Sequence, residues 1–204
     1  MKRKILSKLI EWKNKKNRKP LIVNGARQVG KTYILKEFGS HYYEKMAYVN
    51  CDKNKTLDKI FSQDYNISRI LLSLSAILHV NIEPENTLII FDEIQENPTV
   101  LNSLKYFCED ASQYHVAVAG SLLGISLHRD TSFPVGKVDM IKMYPMTFDE
   151  FLMAIDEQPL VDVLASKDFS IIDSLSVRLI DRLRQYYYVG GMPAAVAEFA
   201  LTKN

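Results

Sequence analysis

Eight residues near the start of the chain have the types and spacing of an anion-binding loop. The segment Gly25-Ala-Arg-Gln-Val-Gly-Lys-Thr32 has the pattern G-x-x-x-x-G-K-T and directly follows the apolar run Leu21–Val23. We expect Gly25 and Gly30 to allow positive φ and a close approach of the backbone to phosphate. Successive N–H groups would then form a concave cradle, to which the following helix adds the positive end of its dipole. The alternative is a tight glycine turn that caps a helix.

The side chains of this loop have distinct expected roles. Lys31 would reach the β- and γ-phosphates of a nucleotide, and the Thr32 hydroxyl would ligate Mg²⁺. Arg27 is expected at the phosphates or at an interface. The predicted nucleotide contacts are the loop and the residue after it: Gly25, Ala26, Arg27, Gln28, Val29, Gly30, Lys31, Thr32 and Tyr33.

Two carboxylates end a second apolar run, Leu88–Phe91, at Asp92 and Glu93. In an enzyme with such a phosphate loop, the Asp orients Mg²⁺, usually through its water shell. An adjacent Glu polarises the attacking water as a general base. The alternative is an acidic strand end at the surface.

Ser121 ends a third apolar run, Val116-Ala-Val-Ala-Gly-Ser121. A polar residue at the tip of this strand would lie beside the γ-phosphate and bond the phosphate or the water. A Ser that caps a following turn explains the same position, and the two alternatives stay open.

Strands and helices alternate along the chain, which indicates a parallel sheet covered by helices on both faces. The phosphate loop and the two carboxylates would then share the carboxyl-end edge of the sheet. Thr147 and Glu150 are predicted to form a capping box. The predicted strands are 21–24, 46–50, 87–91, 115–119 and 138–144, and the predicted helices are 31–38, 56–63, 67–80, 100–111, 147–155, 171–187 and a last one after Pro193.

Composition is that of an ordinary globular protein. The 204 residues, 47% hydrophobic and 25% charged, suit one α/β domain, or one domain and the start of another. No apolar run is long enough to span a bilayer, and the basic N-terminus lacks the features of a signal peptide. Cys51 and Cys108 are expected to be reduced thiols in a cytoplasmic protein, without a metal site.

Positive charge is concentrated at the N-terminus. Residues 1–19 carry nine Lys or Arg and one acid, which leaves 17 of the 26 basic residues against 23 of the 24 acidic ones elsewhere. A basic arm suits DNA phosphates or an acidic protein partner. The favoured interpretation is an amphipathic helix, with apolar residues on one face and solvated lysines on the other.

Five segments in this order resemble one protein family. They are the phosphate loop, Phe-Asp-Glu-Ile-Gln, Ala-Gly-Ser-Leu-Leu, Tyr-Pro-Met-Thr-Phe-Asp-Glu-Phe and Gly190-Gly-Met-Pro193. Together they resemble the prokaryotic AAA-type ATP-binding proteins of the AAA_14 family, which usually carry a C-terminal DUF4143 domain. The resemblance covers about residues 20–200.

The resemblance implies an AAA-like (ASCE) P-loop NTPase with a sheet in the order 5-1-4-3-2 and additional C-terminal helices. It implies ATP and Mg²⁺ as ligands, Glu93 as the catalytic glutamate and Ser121 at the sensor position. A Gly-x-Pro turn in related ATPases contacts adenine, which makes Gly191 and Pro193 candidates for that contact. A helix C-cap followed by a new helix with Pro in its first turn fits the same residues.

One position departs from the family pattern. The family usually has Gly-Arg after the sensor loop, whereas this chain has Gly136-Lys137. If that Arg acts on a neighbouring subunit's γ-phosphate, Lys137 is a weaker substitute because it lacks a bidentate fork. Arg129 is the other candidate, and a purely structural role for the position stays open.

The predicted organisation is a basic N-terminal helix (1–19), an ATPase core (20–145) and a helical segment (146–204) that we expect to be truncated before a further domain. The predicted function is Mg-dependent ATP hydrolysis that drives a conformational switch, with Glu93, Lys31 and Ser121 as catalytic residues. The alternatives are a nucleotide-gated regulator that binds a protein partner or DNA, and a small-molecule phosphoryl transferase. Self-association through a trans-acting Arg or Lys is expected.

Overall fold

The computed structural model describes residues 2–121 and 134–202 of the chain. These residues divide into two compact units, one of which comprises Ile5–Met143. The other comprises the chain from Tyr144 onward together with the residues up to Lys4. The borders that the sequence suggests, after residues 19 and 145, stay predictions.

A five-stranded parallel sheet forms the centre of the Ile5–Met143 unit. Its strands are β1 (Leu21–Gly25), β2 (Lys45–Asn50), β3 (Thr87–Asp92), β4 (His115–Ser121) and β5 (Asp139–Met143). Their spatial order is β2-β3-β4-β1-β5, which confirms the predicted α/β class and strand order. Every residue of β1 and β3 is buried, as expected for near-continuous apolar strands inside a covered parallel sheet.

Helices cover both faces of this sheet, as predicted. The α-helices described in this unit are α1 (Ile5–Lys13), α2 (Lys31–Tyr42), α3 (Lys55–Phe61), α4 (Ile67–Leu78) and α5 (Pro98–Asp110). Because alternate strand residues point to opposite faces, β3 shows which helices lie on each side. Ile89 joins the hydrophobic cluster that α3, α4 and α5 form, whereas Leu88 lies against Gly39 of α2.

The second unit is helical over its described residues. Its helices are α6 (Phe148–Ala154), α7 (Gln158–Ser166), α8 (Phe169–Ser174), α9 (Ser176–Val189) and α10 (Pro193–Thr202). The predicted capping box at the start of α6 is present. The Thr147 hydroxyl accepts from the Glu150 N–H at 3.4 Å, and the Glu150 carboxylate accepts from the Thr147 N–H at 3.0 Å.

The helices of this unit differ from the prediction in two respects. The single helix predicted over residues 171–187 is two helices, because the backbone leaves helical geometry at Leu175 (φ −105°, ψ 8°). The Asp168 side chain caps the first of them by accepting from the Ser170 and Ile171 N–H groups. The sequence analysis does not predict α7, although Pro159 in its first turn is a common signal for a helix start.

Glu150 also binds the start of the chain. Arg3 Nε lies 3.2 Å from Glu150 Oε1, and the two side chains are 6% and 5% exposed. Arg3 also donates to the Tyr144 carbonyl at 2.7 Å, and the Lys4 N–H donates to Glu150 at 2.7 Å. A carboxylate this deeply buried is tolerated only with a charged partner and several donors. The first residues of the chain are therefore integral to the helical unit.

Candidate functional site

The loop between β1 and α2 has the positive φ that the sequence analysis predicts at Gly30. Gly30 lies at φ 93° and ψ 24°, in the left-handed region that glycine adopts without strain. Ala26, Arg27 and Gln28 are exposed, whereas Val29 is fully buried and anchors the loop. The loop backbone is thereby accessible to a ligand while its base is fixed in the core.

Gly25 is required for a different reason from the one predicted. Its φ lies outside the positive range, so the expectation of positive φ at Gly25 is wrong. An added Cβ would instead overlap the carbonyl oxygen of Met143, the residue opposite Gly25 in β5. On its other side Gly25 lies in register with Ser121 of β4. Glycine at this position therefore lets β5 approach β1 at the edge where the loop begins.

The N-terminus of α2 lacks the side-chain cap that the neighbouring helices have. Asn54, Asn66 and Asn97 cap α3, α4 and α5 by accepting from a first-turn N–H group. Helix α2 begins after Gly30 without such a hydrogen bond. Its first N–H groups therefore point toward the loop as donors for an anion, with the helix dipole behind them.

Lys31, the first residue of α2, folds back over the loop. Its Nζ donates to the carbonyls of Gly25 at 3.1 Å and Ala26 at 2.7 Å, and the residue is only 8% exposed. Burial lowers the pKa of the Lys31 ammonium, while the nearby carboxylates of Glu93 and Asp92 act in the opposite direction. The ammonium is thus held at the loop by weak acceptors that a phosphate can replace.

Thr32 and Asp92 are adjacent, as the sequence predicts from the shared edge of the sheet. The Thr32 hydroxyl lies 2.8 Å and 3.1 Å from the two Asp92 carboxylate oxygens, and Asp92 is 4% exposed. The pair brings a hydroxyl from the phosphate loop to a buried carboxylate at the end of β3. Hydroxyl and carboxylate oxygens are the ligands that Mg²⁺ takes, together with retained waters and substrate phosphates.

Tyr48 of β2 is a site residue that the sequence analysis misses. Its hydroxyl donates to Asp92 Oδ2 at 2.9 Å, and the Glu93 N–H donates to Asp92 Oδ1 at 3.1 Å. Burial and the bond to Asp92 raise the pKa of Tyr48 to about 12. With Thr32, these donors bond both oxygens of the carboxylate and fix its plane. The register of β2 on β3, in which Asn50 lies opposite Asp92, is what places Tyr48 within reach.

Glu93 lies at a sharp turn directly after β3. Its backbone is left-handed, with φ 52° and ψ 44°, and it precedes a single 3₁₀ turn, Ile94–Glu96. A left-handed Glu is uncommon, and such conformations occur mostly where the surrounding structure holds them in place. Gln95 donates to the Glu93 carboxylate at 2.5 Å. Glu93 is partly exposed and directly follows Asp92 in the chain.

The remaining candidates lie elsewhere or outside the description. Lys137 forms an exposed ion pair with Glu109, with 2.9 Å between Nζ and Oε1, and this hydrogen bond raises the Lys137 pKa. It precedes β5 at the amino ends of the parallel strands, opposite the phosphate loop of its own chain. Arg129 lies outside the described residues.

The Gly190–Pro193 turn has the helix-capping geometry that the sequence analysis gives as its alternative role. Gly190, at φ 77°, donates its N–H to the Tyr186 carbonyl at the end of α9, and Pro193 begins α10. Adenine contact by Gly191 and Pro193 stays a prediction.

The basic N-terminal segment is anchored by its own side chains. The amphipathic interpretation of α1 is confirmed, because Ile5, Leu9 and Trp12 are buried. Past the helix, Arg18 donates to the Ser112 carbonyl at 3.2 Å and Lys15 pairs with Asp139 at 2.8 Å. Several of these cations therefore hold the segment against the sheet unit, and DNA binding through them stays a prediction.

Thr32 and Asp92 are described side chains that could take part in a magnesium site. Among the described residues, no group of three or more His, Cys, Asp or Glu could hold a metal ion. Thr32 and Asp92 suit Mg²⁺ nonetheless, because Mg²⁺ keeps several waters and is usually shared with substrate phosphates. Thr32 and Asp92 therefore fit an Mg²⁺ ion that is shared with a nucleotide.

The sheet order, the loop between β1 and α2 and the Thr32–Asp92 pair define an α/β domain of the P-loop class. Comparison with models of known protein families shows which family of this class the chain matches. The profile of the AAA_14 family, described as an AAA domain, matches residues 17–152. The chain belongs to this family, as its sequence motifs indicate.

Two solved structures are similar to this chain at low sequence identity. PCH-2 of C. elegans is 12% identical with a TM-score of 0.43, over 76% of this chain and 45% of that one. Cdc6p of Pyrobaculum aerophilum is 13% identical with a TM-score of 0.40, over 68% and 42%. This chain spans less than half the length of either protein, and no curated protein matches it. Within the described ranges, no helix combines the length and hydrophobicity needed to cross a membrane.

Proposed function

We propose that this protein binds ATP with Mg²⁺, hydrolyses it to ADP and phosphate, and uses the cycle to switch conformation. The contact of Thr32 with buried Asp92, beside the uncapped start of α2, carries this proposal. An Mg²⁺ ion bound there would neutralise charge on the phosphates. The AAA family supports ATP as the nucleotide.

The residues of the loop have separate tasks in this proposal. The first N–H groups of α2 and the Lys31 ammonium bind the β- and γ-phosphates, replacing the bonds from Lys31 to the Gly25 and Ala26 carbonyls. Tyr48 and the Glu93 N–H keep the Asp92 carboxylate oriented toward Thr32. We propose that Ser121, which lies opposite Gly25 in the sheet, bonds the γ-phosphate.

Glu93 is the general base of the proposed reaction. Its carboxylate takes a proton from water as the water oxygen bonds the γ-phosphorus and the bond to ADP breaks. Lys137 or Arg129 of a second copy would supply an additional cation, which implies self-association during turnover. The position of Lys137 at the amino ends of the strands suits action on a neighbour rather than on its own loop.

The test measures phosphate release from Mg-ATP over a range of protein concentrations. We expect Glu93→Gln to bind ATP normally and to hydrolyse it at least about 100-fold more slowly, since a general base contributes about 10²–10⁴-fold. Glu11→Gln, the same chemical change on an exposed residue of α1, is the matched control and should behave as wild type. Hydrolysis by Glu93→Gln at the wild-type rate contradicts the role of Glu93.

The concentration dependence separates the remaining alternatives. A specific activity that rises with protein concentration supports a cation supplied by a second copy, whereas a constant specific activity indicates a self-sufficient site. Nucleotide binding without turnover supports instead a nucleotide-gated regulator of a protein partner or DNA.

A further inference from the structure

We infer that Gln95 is a positioning residue that ties the Glu93 carboxylate to the tip of β4. The inference rests on the proposed function, because it assigns Gln95 a task in the hydrolysis that Glu93 would catalyse. Its basis is a bridge: the Gln95 side-chain amide bonds the Glu93 carboxylate with its nitrogen and the Ser121 N–H with its oxygen.

Both ends of the bridge have hydrogen-bond geometry. Gln95 Nε2 donates to Glu93 Oε2 at 2.5 Å and more weakly to Glu96 Oε1 at 3.4 Å. Gln95 Oε1 accepts from the Ser121 N–H at 3.1 Å. A bond to a charged carboxylate is among the stronger hydrogen bonds in proteins. The amide plane therefore relates the position of the Glu93 carboxylate to the backbone of β4.

The contact depends on the unusual backbone of Glu93. Residues two positions apart do not face each other on a helix, so Gln95 would point away from Glu93 if the chain continued helically. The left-handed conformation of Glu93 and the 3₁₀ turn after it bring the two side chains together. Strain at Glu93 is thus coupled to formation of the bridge, which is the expected pattern at a pre-organised site.

Burial restricts the hydrogen-bond partners that the Gln95 side-chain amide can take. Gln95 is 8% exposed, so its amide has little access to water and keeps the partners that the fold supplies. Ser121 ends β4 opposite Gly25, the first residue of the phosphate loop. A shift of the β4 tip when phosphate binds would therefore move Gln95, and with it the Glu93 carboxylate. This arrangement links occupation of the loop to the placement of the general base.

The experiment compares Gln95→Leu and Gln95→Glu with wild type in Mg-ATP hydrolysis and nucleotide binding. Gln95→Leu removes the bonds to the Glu93 carboxylate and to the Ser121 N–H, whereas Gln95→Glu, when ionised, keeps an acceptor for the Ser121 N–H and removes the donor to Glu93. We expect both variants to lose about 10- to 100-fold in kcat, the range that a misplacement of about 1 Å produces. ATP affinity should change less than about threefold, because the phosphate-binding groups are intact. Gln113→Leu, the same substitution at an exposed amide, is the control.

A double-mutant comparison separates positioning from a structural role. In a Glu93→Gln background, Gln95→Leu should reduce the residual rate no further, since the group that Gln95 positions is already absent. If Gln95→Leu does not fold, the kcat of Gln95→Glu tests the inference.

Each outcome bears on one proposal or on both. Wild-type kcat in Gln95→Glu, or an additive loss in the double mutant, overturns the inference while Glu93-dependent hydrolysis stands. Wild-type protein that releases no phosphate, or that hydrolyses independently of Glu93, overturns the proposed function and this inference together.

Discussion

Replacing Lys31 by Met is the sharpest test of the phosphate loop. Met has a similar length and no charge, so it keeps the volume of a residue that is 8% exposed while removing the ammonium. Within the described residues, this ammonium bonds the carbonyls of Gly25 and Ala26. With nucleotide bound, we expect those neutral acceptors to be exchanged for anionic phosphate oxygens.

The size of the effect follows from this exchange. A hydrogen bond involving a charged group contributes about 1.5–3 kcal/mol, and the two carbonyl bonds lost on binding offset part of the gain. Because ADP offers Lys31 the β-phosphate and no γ-phosphate, we expect Lys31→Met to weaken binding of Mg-ADP by about 1–2 kcal/mol, or roughly 5- to 30-fold in Kd. The free energy of unfolding without nucleotide should change by only about 1 kcal/mol, because relief of the buried charge offsets the lost carbonyl bonds.

Calorimetric titration with Mg-ADP measures the change in affinity, and urea unfolding without nucleotide measures the change in stability. Lys59→Met, on the exposed face of α3, removes the same charge away from the loop and is the control. A folded Lys31→Met protein that binds Mg-ADP within threefold of wild type refutes the assignment of the loop as a phosphate site.

Two further predictions concern hydrogen bonds whose energies depend on pH. Tyr48→Phe should lower the free energy of unfolding at pH 7 by about 1 kcal/mol through the lost bond to Asp92. Urea unfolding should show that the difference in unfolding free energy between wild type and Tyr48→Phe shrinks from pH 10 to about 12. In this range the tyrosine ionises more readily in the unfolded wild type than in the folded one, because folding raises its pKa. A difference that grows with pH contradicts the bond. Burial, together with the nearby charges of Arg18 and Lys13, lowers the His115 pKa from 6.5 to about 3. As the pH falls from 6.5 toward 3, the imidazole is therefore protonated in the unfolded chain and not in the folded one, which favours unfolding. Between pH 6 and 4 the free energy of unfolding of the wild type should therefore fall by up to about 1.4 kcal/mol per pH unit relative to that of His115→Gln. Unfolding free energies that depend on pH in the same way in both proteins contradict this prediction.

The main features of the fold follow from local patterns in the sequence. The pattern G-x-x-x-x-G-K-T after an apolar run locates the turn from β1 to α2, and the apolar runs locate the buried strands. The pairing of Thr32 with Asp92 follows because the loop after β1 and the end of β3 share the carboxyl-end edge of the parallel sheet. The strand order itself came from the family resemblance, since apolar runs do not state which strands are neighbours.

The features that the sequence analysis misses depend on contacts between distant residues. Tyr48 bonds Asp92 only because of the register of β2 on β3, and no short motif surrounds it. The constraint on Gly25 comes from the Met143 carbonyl of β5 rather than from its own turn. A left-handed Glu93 cannot be expected from residue type, because glutamate has no intrinsic preference for this region.

The pairing of Arg3 with Glu150 has a consequence for any chimera or fragment made from this protein. The helical unit is discontinuous in sequence, because it takes the residues up to Lys4 as well as those from Tyr144 onward. A segment that begins at residue 144 carries the buried Glu150 carboxylate without its guanidinium partner. A chimera that receives this segment without an equivalent cation should therefore be less stable, because the buried carboxylate is left unpaired.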